Sequence, residues 1–434
     1  MSVPELTGSA RGGGGSGAAF GFIFATAVMN TISFGIVLPV LPNLIKQFSG
    51  GDTALATEWS TLFGVVWGAM QLVCGPLLGA LSDRVGRRPV LLISLFGLAV
   101  DSFVMALAPN LAWLFAGRVL NGLTSSSLAT ANAYVADVTP PEQRARAFGR
   151  IGAAVSLGFL AGPALGGLLA GIDLRLPCYV AGVLSALNFL YGLAILPESL
   201  APEARTARLD RRKLNPFGAL AFLKARGDLL GLAALAVLFA LAWMVGPSIF
   251  VLYGGYRYGW TPAAIGLVMM ASGGLGTLVQ VALVGPIVKR AGERGALLIG
   301  AAAGALGYLG FGLASAGWGY LLAMPVYVFF NLFMPALQAL MSRRVDEAGQ
   351  GQLQGVMQAF VGLASIVGPL VYGLGFAWSI GPRVARPMPG LAFFLAAALM
   401  AVAFAAAWRV ARGAGQGIEQ GIDSGEPRDT MHAG

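Results

Sequence analysis

The sequence of 434 residues has little of the chemistry on which most enzymes depend. Its one histidine, His432, lies close to the C-terminal end, so no apolar segment offers an imidazole as a base, metal ligand or proton carrier. The two cysteines, Cys74 and Cys178, lie far apart in apolar runs, which excludes a zinc cluster and favours simple packing. None of the four lysines follows a glycine, so the G-x-x-x-x-G-K-[ST] phosphate loop is absent. We therefore predict a protein that is not an enzyme, with no ATP site, no metal and no cofactor.

Charge is also scarce. Charged residues make up 11% of the chain, against about 25% in soluble domains, whereas hydrophobic residues make up 57%. Apolar runs of about 20 residues, the length of a helix that spans a bilayer, recur along nearly the whole chain. The sequence thus predicts an all-α polytopic membrane protein with twelve transmembrane helices. We number these spans 1 to 12 in chain order: 18–42, 59–81, 90–108, 111–136, 148–171, 178–197, 229–253, 262–286, 296–316, 318–341, 352–377 and 390–410.

Lysine and arginine are distributed unequally between the two sides of the predicted membrane. The side of the two termini carries 22 of them and the opposite side 5, with Arg118 left inside a span. Because cytosolic loops hold the excess of positive charge, we predict a multi-pass protein of the cell membrane with both termini in the cytosol. The net charge of +9 then predicts anionic membrane lipid as a partner, and no nucleic acid.

An internal repeat divides the chain into two halves. A constant offset of 206 residues carries Gly79, Arg84, Gly86 and Arg88 onto Gly285, Arg290, Gly292 and Arg294, Gly149 onto Gly355, and Gly162 and Pro163 onto Gly368 and Pro369. Parallel repeats of this kind flank a midplane site in secondary transporters. We predict two six-helix halves in parallel orientation, 18–197 and 229–410, a cytosolic linker 198–228, and disordered cytosolic tails 1–17 and 411–434.

Two charged residues lie deep in neighbouring apolar spans. Asp101 lies eight residues before Pro109 and Arg118 lies eight residues after Asn110, so in an antiparallel helix pair they share a depth. A lone charge at the bilayer centre costs about 2.5–3.5 kcal/mol, so we expect them to pair. The pair is either a static structural contact or a proton carrier. Spans 7 to 12 contain no acidic residue, which favours Asp101 as the proton-carrying carboxylate.

Two further segments combine glycine with functional residue types. In the loop GALSDRVGRRPV (79–90), Gly79 and Gly86 permit close approach and a tight turn, and Asp83 can accept hydrogen bonds from the arginine cluster of Arg84, Arg87 and Arg88. An acid and two glycines at these spacings favour a built charge cluster over a loop that serves topology alone. Span 5 places small residues every four positions for close helix packing, with a proline that bends the helix: Gly158, Gly162, Pro163, Gly166 and Gly167.

With these motifs the chain resembles the major facilitator superfamily, and within it the twelve-helix drug/proton antiporters of the tetracycline-resistance efflux branch. The resemblance covers most of residues 20–410. Its most specific stretches are LPVLP (38–42), GPLLGALSDRVGRRPVLL (75–92), AYVADVT (133–139), MPALQALMSRRVDEAGQGQLQG (334–355) and SIVGPL (365–370).

The resemblance implies roles for individual residues. Asp101, Arg118 and Gln71 fall on positions given to coupling or substrate binding, and the span 5 glycines fall on the antiporter motif. The cytosolic gate is assigned to Asp83, Arg84, Arg88 and Asp137, to which we add Gly79, Gly86 and Arg87 as parts of the same loop.

The chain departs from that branch at three positions. Asn30 stands where the branch has an acid in span 1, Gly276 replaces its span 8 histidine, and Gly304 replaces its span 9 acid. Asparagine forms hydrogen bonds but does not titrate, and glycine does neither. A metal–tetracycline cation would therefore lose the acids that compensate its charge, and coupling would rest on Asp101 alone.

We expect the substrate cavity to be lined by spans 1, 4, 7 and 10, with faces of spans 2, 5, 8 and 11. A few polar groups in an apolar, aromatic cleft suit an amphipathic, drug-sized ligand. For each candidate, packing or lipid contact is the alternative interpretation. The candidates are Asn30, Gln71, Asn121, Phe159, Trp243, Gln280, Tyr327, Asn331 and Gln358.

These observations predict proton-coupled efflux of an amphipathic small molecule by alternating access, with tetracycline-type compounds as the first candidate. The partners expected are the substrate, protons and lipid, in a monomer of a bacterial inner membrane. Two alternatives stay open at this point. One is a metabolite importer or facilitator on the same fold, against which the span 5 Gly-Pro motif argues, and the other is a membrane enzyme.

Overall fold

The computed structural model describes residues 15–125, 127–205, 223 and 226–423. Within these residues every regular element is helical, which confirms the all-α class. Of the predicted tails, residues 1–14 and 424–434 lie outside the described residues, as do linker residues 206–222 and 224–225.

The first part of the chain forms eight α-helices: α1 (Gly15–Val37), α2 (Leu41–Phe48), α3 (Thr53–Val85), α4 (Arg87–Leu107), α5 (Leu111–Thr124), α6 (Ser127–Val138), α7 (Pro141–Ala170) and α8 (Leu176–Ile195). Two of them begin at side-chain caps, because the Asp52 carboxylate accepts hydrogen bonds from Ala54 N and Leu55 N, and the Asn110 side chain accepts one from Trp113 N. Span 1 ends earlier than predicted, at Val37, since the prolines of LPVLP interrupt the helix before α2 begins.

The second part forms eight more: α9 (Gly227–Trp243), α10 (Val245–Tyr258), α11 (Pro262–Leu278), α12 (Val284–Leu313), α13 (Gly317–Tyr327), α14 (Phe333–Ser342), α15 (Glu347–Ile380) and α16 (Leu391–Asp423). A π-helical turn, Val279–Leu283, joins α11 to α12, and a 3-10 turn, Val328–Leu332, joins α13 to α14. A short 3-10 turn, Pro202–Ala204, follows α8.

The helices account for all twelve predicted spans. Ten helical segments of the described residues are long and apolar enough to cross a membrane. One of them, Pro262–Leu313, contains 52 residues and both span 8 and span 9, which are separated by a kink at the non-helical residue Gly292, where φ is 70°. Span 4 is described as α5 and α6, which are each shorter than a full crossing.

The described residues fall into two compact units. Unit 1 lies within Met1–Gly218 and Phe250–Gly274, and unit 2 lies within Ala219–Ile249 and Leu275–Gly434. The division between the units thus passes through spans 7 and 8. The boundaries 18–197 and 229–410 for the two halves stay a prediction.

Candidate functional site

Asp101 on α4 and Arg118 on α5 form an ion pair in the interior of unit 1. Arg118 Nε donates to Asp101 Oδ1 at 3.3 Å, and Arg118 Nη2 makes a second, closer contact with Asp101 Oδ2. Asp101 is 0% exposed and Arg118 is 7% exposed. Their matched depth in the hairpin led us to expect this pairing. Hydrogen bonds between charged partners are stronger than those between neutral groups, which favours a stable pair here.

Gly117 makes room for this pair. A Cβ atom added at Gly117 would lie 2.8 Å from Asp101 Oδ1 and 3.2 Å from Val104 Cγ1. Any side chain there would displace the carboxylate from Arg118. Sequence reasoning missed this residue, although a glycine directly before a buried arginine is a usable signal.

Arg87, at the start of α4, joins three segments of unit 1. Its Nη1 contacts Asp83 Oδ1 at 2.5 Å, and its Nε contacts Asp137 Oδ2 at 3.0 Å. The Arg87 side chain is 13% exposed, against 32% for Asp83 and 22% for Asp137. We call Asp83, Arg87 and Asp137 the unit-1 clamp, because one shielded guanidinium holds the end of α3, the start of α4 and the end of α6 together.

The remaining residues of this loop differ in their contacts. Arg88 Nη2 donates to the Leu193 carbonyl at 2.7 Å, and Arg84 is exposed at the end of α3. Gly86 has a φ of 111°, which only glycine adopts readily, so the predicted tight turn lies there. The close approach predicted at Gly79 is wrong, since a Cβ atom at Gly79 would meet no heavy atom of the described residues within 4 Å.

The start of the linker also binds the clamp, a contact that the sequence did not reveal. The Glu198 carboxylate accepts hydrogen bonds from Arg87 N at 2.8 Å and Arg88 N at 3.2 Å, and so caps the N-terminus of α4. Ser199 Oγ donates to Asp137 Oδ2 at 3.1 Å. The residues that follow α8 therefore hold both the backbone and an acid of the clamp.

The small residues of span 5 bring α7 against α1 and α11. A Cβ atom at Gly162 would lie 2.7 Å from the Gly35 Cα atom, and one at Gly158 would lie 2.5 Å from Thr31 Cβ. Farther along α7, a Cβ atom at Gly167 would lie 3.0 Å from the Gly266 Cα atom of α11. Pro163 and Gly166 are buried in the same helix. These glycines thus allow backbone contact on two sides of α7.

Aromatic rings and amides from four helices meet in unit 1. Phe34 of α1 stacks with Trp67 of α3 at a centroid distance of 6.0 Å and meets Phe159 of α7 edge-on at 6.1 Å. We call Phe34, Trp67 and Phe159 the aromatic cluster. The Trp67 indole Nε1 donates to Asn121 Oδ1 at 3.0 Å.

Two more predicted residues lie beside the aromatic cluster. Gln71, one turn after Trp67 on α3, donates through Nε2 to Ser125 Oγ at 3.0 Å. Asn30 lies one turn before Phe34 on α1 and is partly buried. The structure therefore gathers Gln71, Asn121 and Phe159 as predicted candidates, whereas Trp67 and Ser125 were missed because neither is distinctive in its span.

Two of the three departures from the efflux branch, Gly276 and Gly304, lie in unit 2 beside packed side chains. The Asn331 amide donates to the Val328 carbonyl at 2.9 Å, and its Nδ2 lies 3.0 Å from the position of a Cβ atom on Gly276. A Cβ atom on Gly304 would lie 2.6 Å from Phe330 Cδ2. An amide and an aromatic ring thus occupy space beside the two glycines.

The other candidates in unit 2 are dispersed. The Tyr327 hydroxyl lies 3.4 Å from the Tyr308 hydroxyl, within a buried aromatic core. Gln280 is exposed in the π-helical turn, a feature that is frequent at functional sites. Trp243, at the end of α9, and Gln358, on α15, are also exposed. The contacts found among the described residues do not join these three into one cluster.

A cleft of about 330 Å³ lies between α14 and α15. Its lining lies between Pro335 and Met357 and combines two exposed amides, Gln338 and Gln354, with the buried side chains of Met341 and Met357. Its volume is at the lower end of the roughly 300–1,000 Å³ range of small-molecule sites.

The comparisons with known proteins agree with these features. The family model of the Major Facilitator Superfamily matches residues 23–369. The class C tetracycline resistance protein of Escherichia coli is 41% identical over 386 residues, which cover 88% of this chain and 94% of that protein. The class G tetracycline resistance protein of Vibrio anguillarum is 36% identical, over 81% of this chain and 91% of that protein.

Solved structures share the fold at lower identity. The nucleoside transporter NupG has a TM-score of 0.73 at 17% identity, over 90% of this chain and 98% of that one. The human organic anion transporter MFSD10 has a TM-score of 0.65 at 23% identity, over 91% and 99%. The resemblance seen in the motifs is thereby confirmed, and this chain belongs to the Major Facilitator Superfamily.

Proposed function

We propose that this protein exports an amphipathic, drug-like small molecule from the cytosol in exchange for protons, by alternating access. Tetracycline-type compounds are the first candidate substrates, since the relatives at 41% and 36% identity are named for tetracycline resistance. The observation that carries the coupling part of the proposal is the Asp101–Arg118 pair, which is almost fully buried. An ionisable pair inside a membrane span is costly and marks a functional path.

A proton that binds Asp101 neutralises the carboxylate and weakens its hold on Arg118. Arg118 and Asn121 lie one turn apart on α5, and the Asn121 amide oxygen accepts from the Trp67 indole. A shift of α5 at Arg118 is therefore passed to the aromatic cluster through a single hydrogen bond. Substrate that stacks on Trp67 acts on the same Trp67–Asn121 hydrogen bond. The proton and the substrate therefore both shift the equilibrium between two positions of α5.

The energy available is sufficient for such a switch. The membrane potential contributes about 2.3 kcal/mol per elementary charge per 100 mV. Two conformations of one protein commonly differ by a few kcal/mol, so one proton changes their populations substantially.

The substrate surface that we propose is neutral and aromatic. Phe34, Trp67 and Phe159 offer ring faces, and the side chains of Gln71 and Asn121 offer neutral donors and acceptors. Asn30 and Gly304 provide no charge where the efflux branch has acids. This surface supports an uncharged or charge-balanced amphipathic compound as the transported species.

The remaining parts of the proposal concern the setting of the protein. The excess of 22 basic residues on the side of the termini, against 5 on the other, supports a membrane protein with both termini cytosolic. We include in the proposal that the chain is monomeric, performs no covalent catalysis and uses the proton gradient with no resident cofactor. The neutral substrate surface and the Asp101–Arg118 pair lie in one unit, and the proposed mechanism uses no metal or organic cofactor beside them.

A drug-susceptibility panel tests the proposal most simply. The gene is expressed in an efflux-deficient bacterial host, and the minimal inhibitory concentrations of tetracycline and of unrelated amphipathic drugs are compared with those of the empty vector. Resistance to at least one compound, lost in Asp101→Asn, is the expected result. Counterflow in inverted vesicles separates export from the alternative, which is import of a metabolite.

A further inference from the structure

The unit-1 clamp has a counterpart at the same repeat positions of unit 2. The offset of 206 residues that relates the two halves carries Arg87 onto Glu293 and Asp137 onto Arg343. It also carries the third member, Asp83, onto Lys289. Each acid of unit 1 becomes a base in unit 2, and the base becomes an acid.

The inverted pair is formed in the structure. Arg343 Nη2 lies 2.6 Å from Glu293 Oε1, as Arg87 Nε lies 3.0 Å from Asp137 Oδ2. The central side chain is equally shielded in the two units, since Glu293 and Arg87 are each 13% exposed. The outer partner is more accessible in both, at 74% for Arg343 and 22% for Asp137.

The backbone around the central residue is also shared. Gly86 precedes Arg87 with a φ of 111°, and Gly292 precedes Glu293 with a φ of 70°. Both values lie in the left-handed region, which a glycine adopts without strain. In each unit a glycine thus interrupts the helical backbone directly before a residue that contacts a partner of opposite charge.

Each end of the linker is tied to the clamp region of its own unit. In unit 1, Glu198 accepts from Arg87 N, and Ser199 donates to Asp137. In unit 2, Arg226 donates to the Arg344 carbonyl at 3.1 Å and pairs with Asp346 at 3.1 Å, in the turn that follows Arg343. The turn that presents Arg343 is therefore held independently of Glu293.

We propose that Glu293 and Arg343 form a second, charge-inverted clamp, the unit-2 clamp, which positions the adjoining ends of spans 9 and 10 during transport. The inference rests on the proposed function. The residues at the two repeat positions differ between the units, but in each unit the two residues carry opposite charges and contact each other. This indicates that the ion pair itself is required, whichever residue supplies the positive charge. Arg343 is 74% exposed, and an ion pair open to solvent on one side adds little to stability, so we assign the role of this pair to the transport cycle.

The polarity of unit 1 supplies the design of the experiment. Glu293→Arg/Arg343→Asp places at positions 293 and 343 the charges that Arg87 and Asp137 carry at the same repeat positions of unit 1. Initial rates of tetracycline uptake by energised inverted vesicles are compared for the parent, Glu293→Arg, Arg343→Asp and the double variant. Arg290→Asp makes the same charge change at an exposed position three residues before Glu293 and serves as the matched control. Arg343→Gln provides a neutral change should charge reversal prevent folding.

Each single variant is expected to transport about fivefold more slowly, the factor that corresponds to about 1 kcal/mol, with unchanged protein level and unfolding temperature. The double variant and Arg290→Asp are expected to transport at close to the parental rate. Parental rates in the single variants, or a double variant as slow as they are, would overturn the proposal. A drop in protein level with normal transport per molecule would assign the pair to folding alone.

A readout without substrate separates this inference from the proposed function. A cysteine at exposed position 342 is labelled with a membrane-impermeant thiol reagent, while Cys74 and Cys178 are buried. Labelling is expected to quicken in Arg343→Asp and to return to the parental rate in the double variant. If the parent protein does not transport tetracycline, the proposed function is refuted for that compound. Equal labelling rates in all variants would refute the unit-2 clamp, whatever the result for tetracycline.

Discussion

Replacement of Asp101 by asparagine is expected to abolish proton-driven export and to preserve energy-independent exchange of substrate. The change keeps the shape of the side chain and its ability to form hydrogen bonds, but it removes the only group of the buried pair that exchanges a proton at neutral pH. Arg118 keeps its charge throughout, since guanidinium groups do not deprotonate in proteins. Coupling is thus lost while the substrate surface around Trp67 is untouched.

The structure also sets the cost of this change. Asp101 is 0% exposed and Arg118 is 7% exposed, so Asp101→Asn leaves a buried guanidinium without its counter-charge. Removal of one partner from such a pair costs about 3–5 kcal/mol, a large part of the 5–15 kcal/mol by which folded proteins are stable. We therefore expect less Asp101→Asn protein in the membrane. Asp101→Asn/Arg118→Gln removes the orphaned charge and is expected to restore the protein level but not uphill transport.

The assay follows the pH inside acidified inverted vesicles when substrate is added. The parent is expected to release protons in response to substrate, and both Asp101 variants are expected to release none at equal protein level. Asp173→Asn, a change of the same kind at an exposed residue, is the control. Undiminished proton movement in Asp101→Asn would show that the ion pair is structural and that the chain couples in another way.

Three further predictions concern the clamp, the aromatic cluster and the topology. Asp83→Asn is expected to leave the protein inserted and folded but to slow transport, because Arg87 loses a charge-assisted contact, and parental export rates would show that the loop serves topology alone. Trp67→Phe keeps an aromatic ring but removes the indole N–H that donates to Asn121, so we expect substrate binding to be retained and fewer protons to move per substrate. An unchanged ratio would disprove the link. Cysteines introduced at positions 46 and 211 are expected to be labelled from opposite sides of the membrane, and labelling of both from outside intact cells would overturn the twelve-span topology.

Elements that depend on local composition could be predicted from the sequence. Long apolar runs determined the spans, and the symmetric spacing of Asp101 and Arg118 about Pro109 and Asn110 predicted that they meet. The break after Val37 could also have been foreseen from the two prolines of LPVLP.

Contacts between residues far apart in the chain escaped prediction. Glu198 lies 111 residues from Arg87, and Asn121 lies 54 residues from Trp67, so no periodicity links them. Neither contact follows from the composition of its own segment. The inverted unit-2 clamp was missed for another reason, since the repeat was found by matching identical residues and an exchange of charge sign breaks that match.

In the proposed mechanism, substrate moves outward as protons move inward through one protein. Inverted vesicles with an acidic interior, loaded with a fluorescent pH indicator, test it most directly when tetracycline uptake and internal pH are recorded together. Added tetracycline is expected to enter the vesicles against its gradient, and the interior is expected to become less acidic in proportion to this uptake. Uptake of tetracycline with no change of internal pH, matched by vesicles without a proton gradient, would contradict the proposed mechanism.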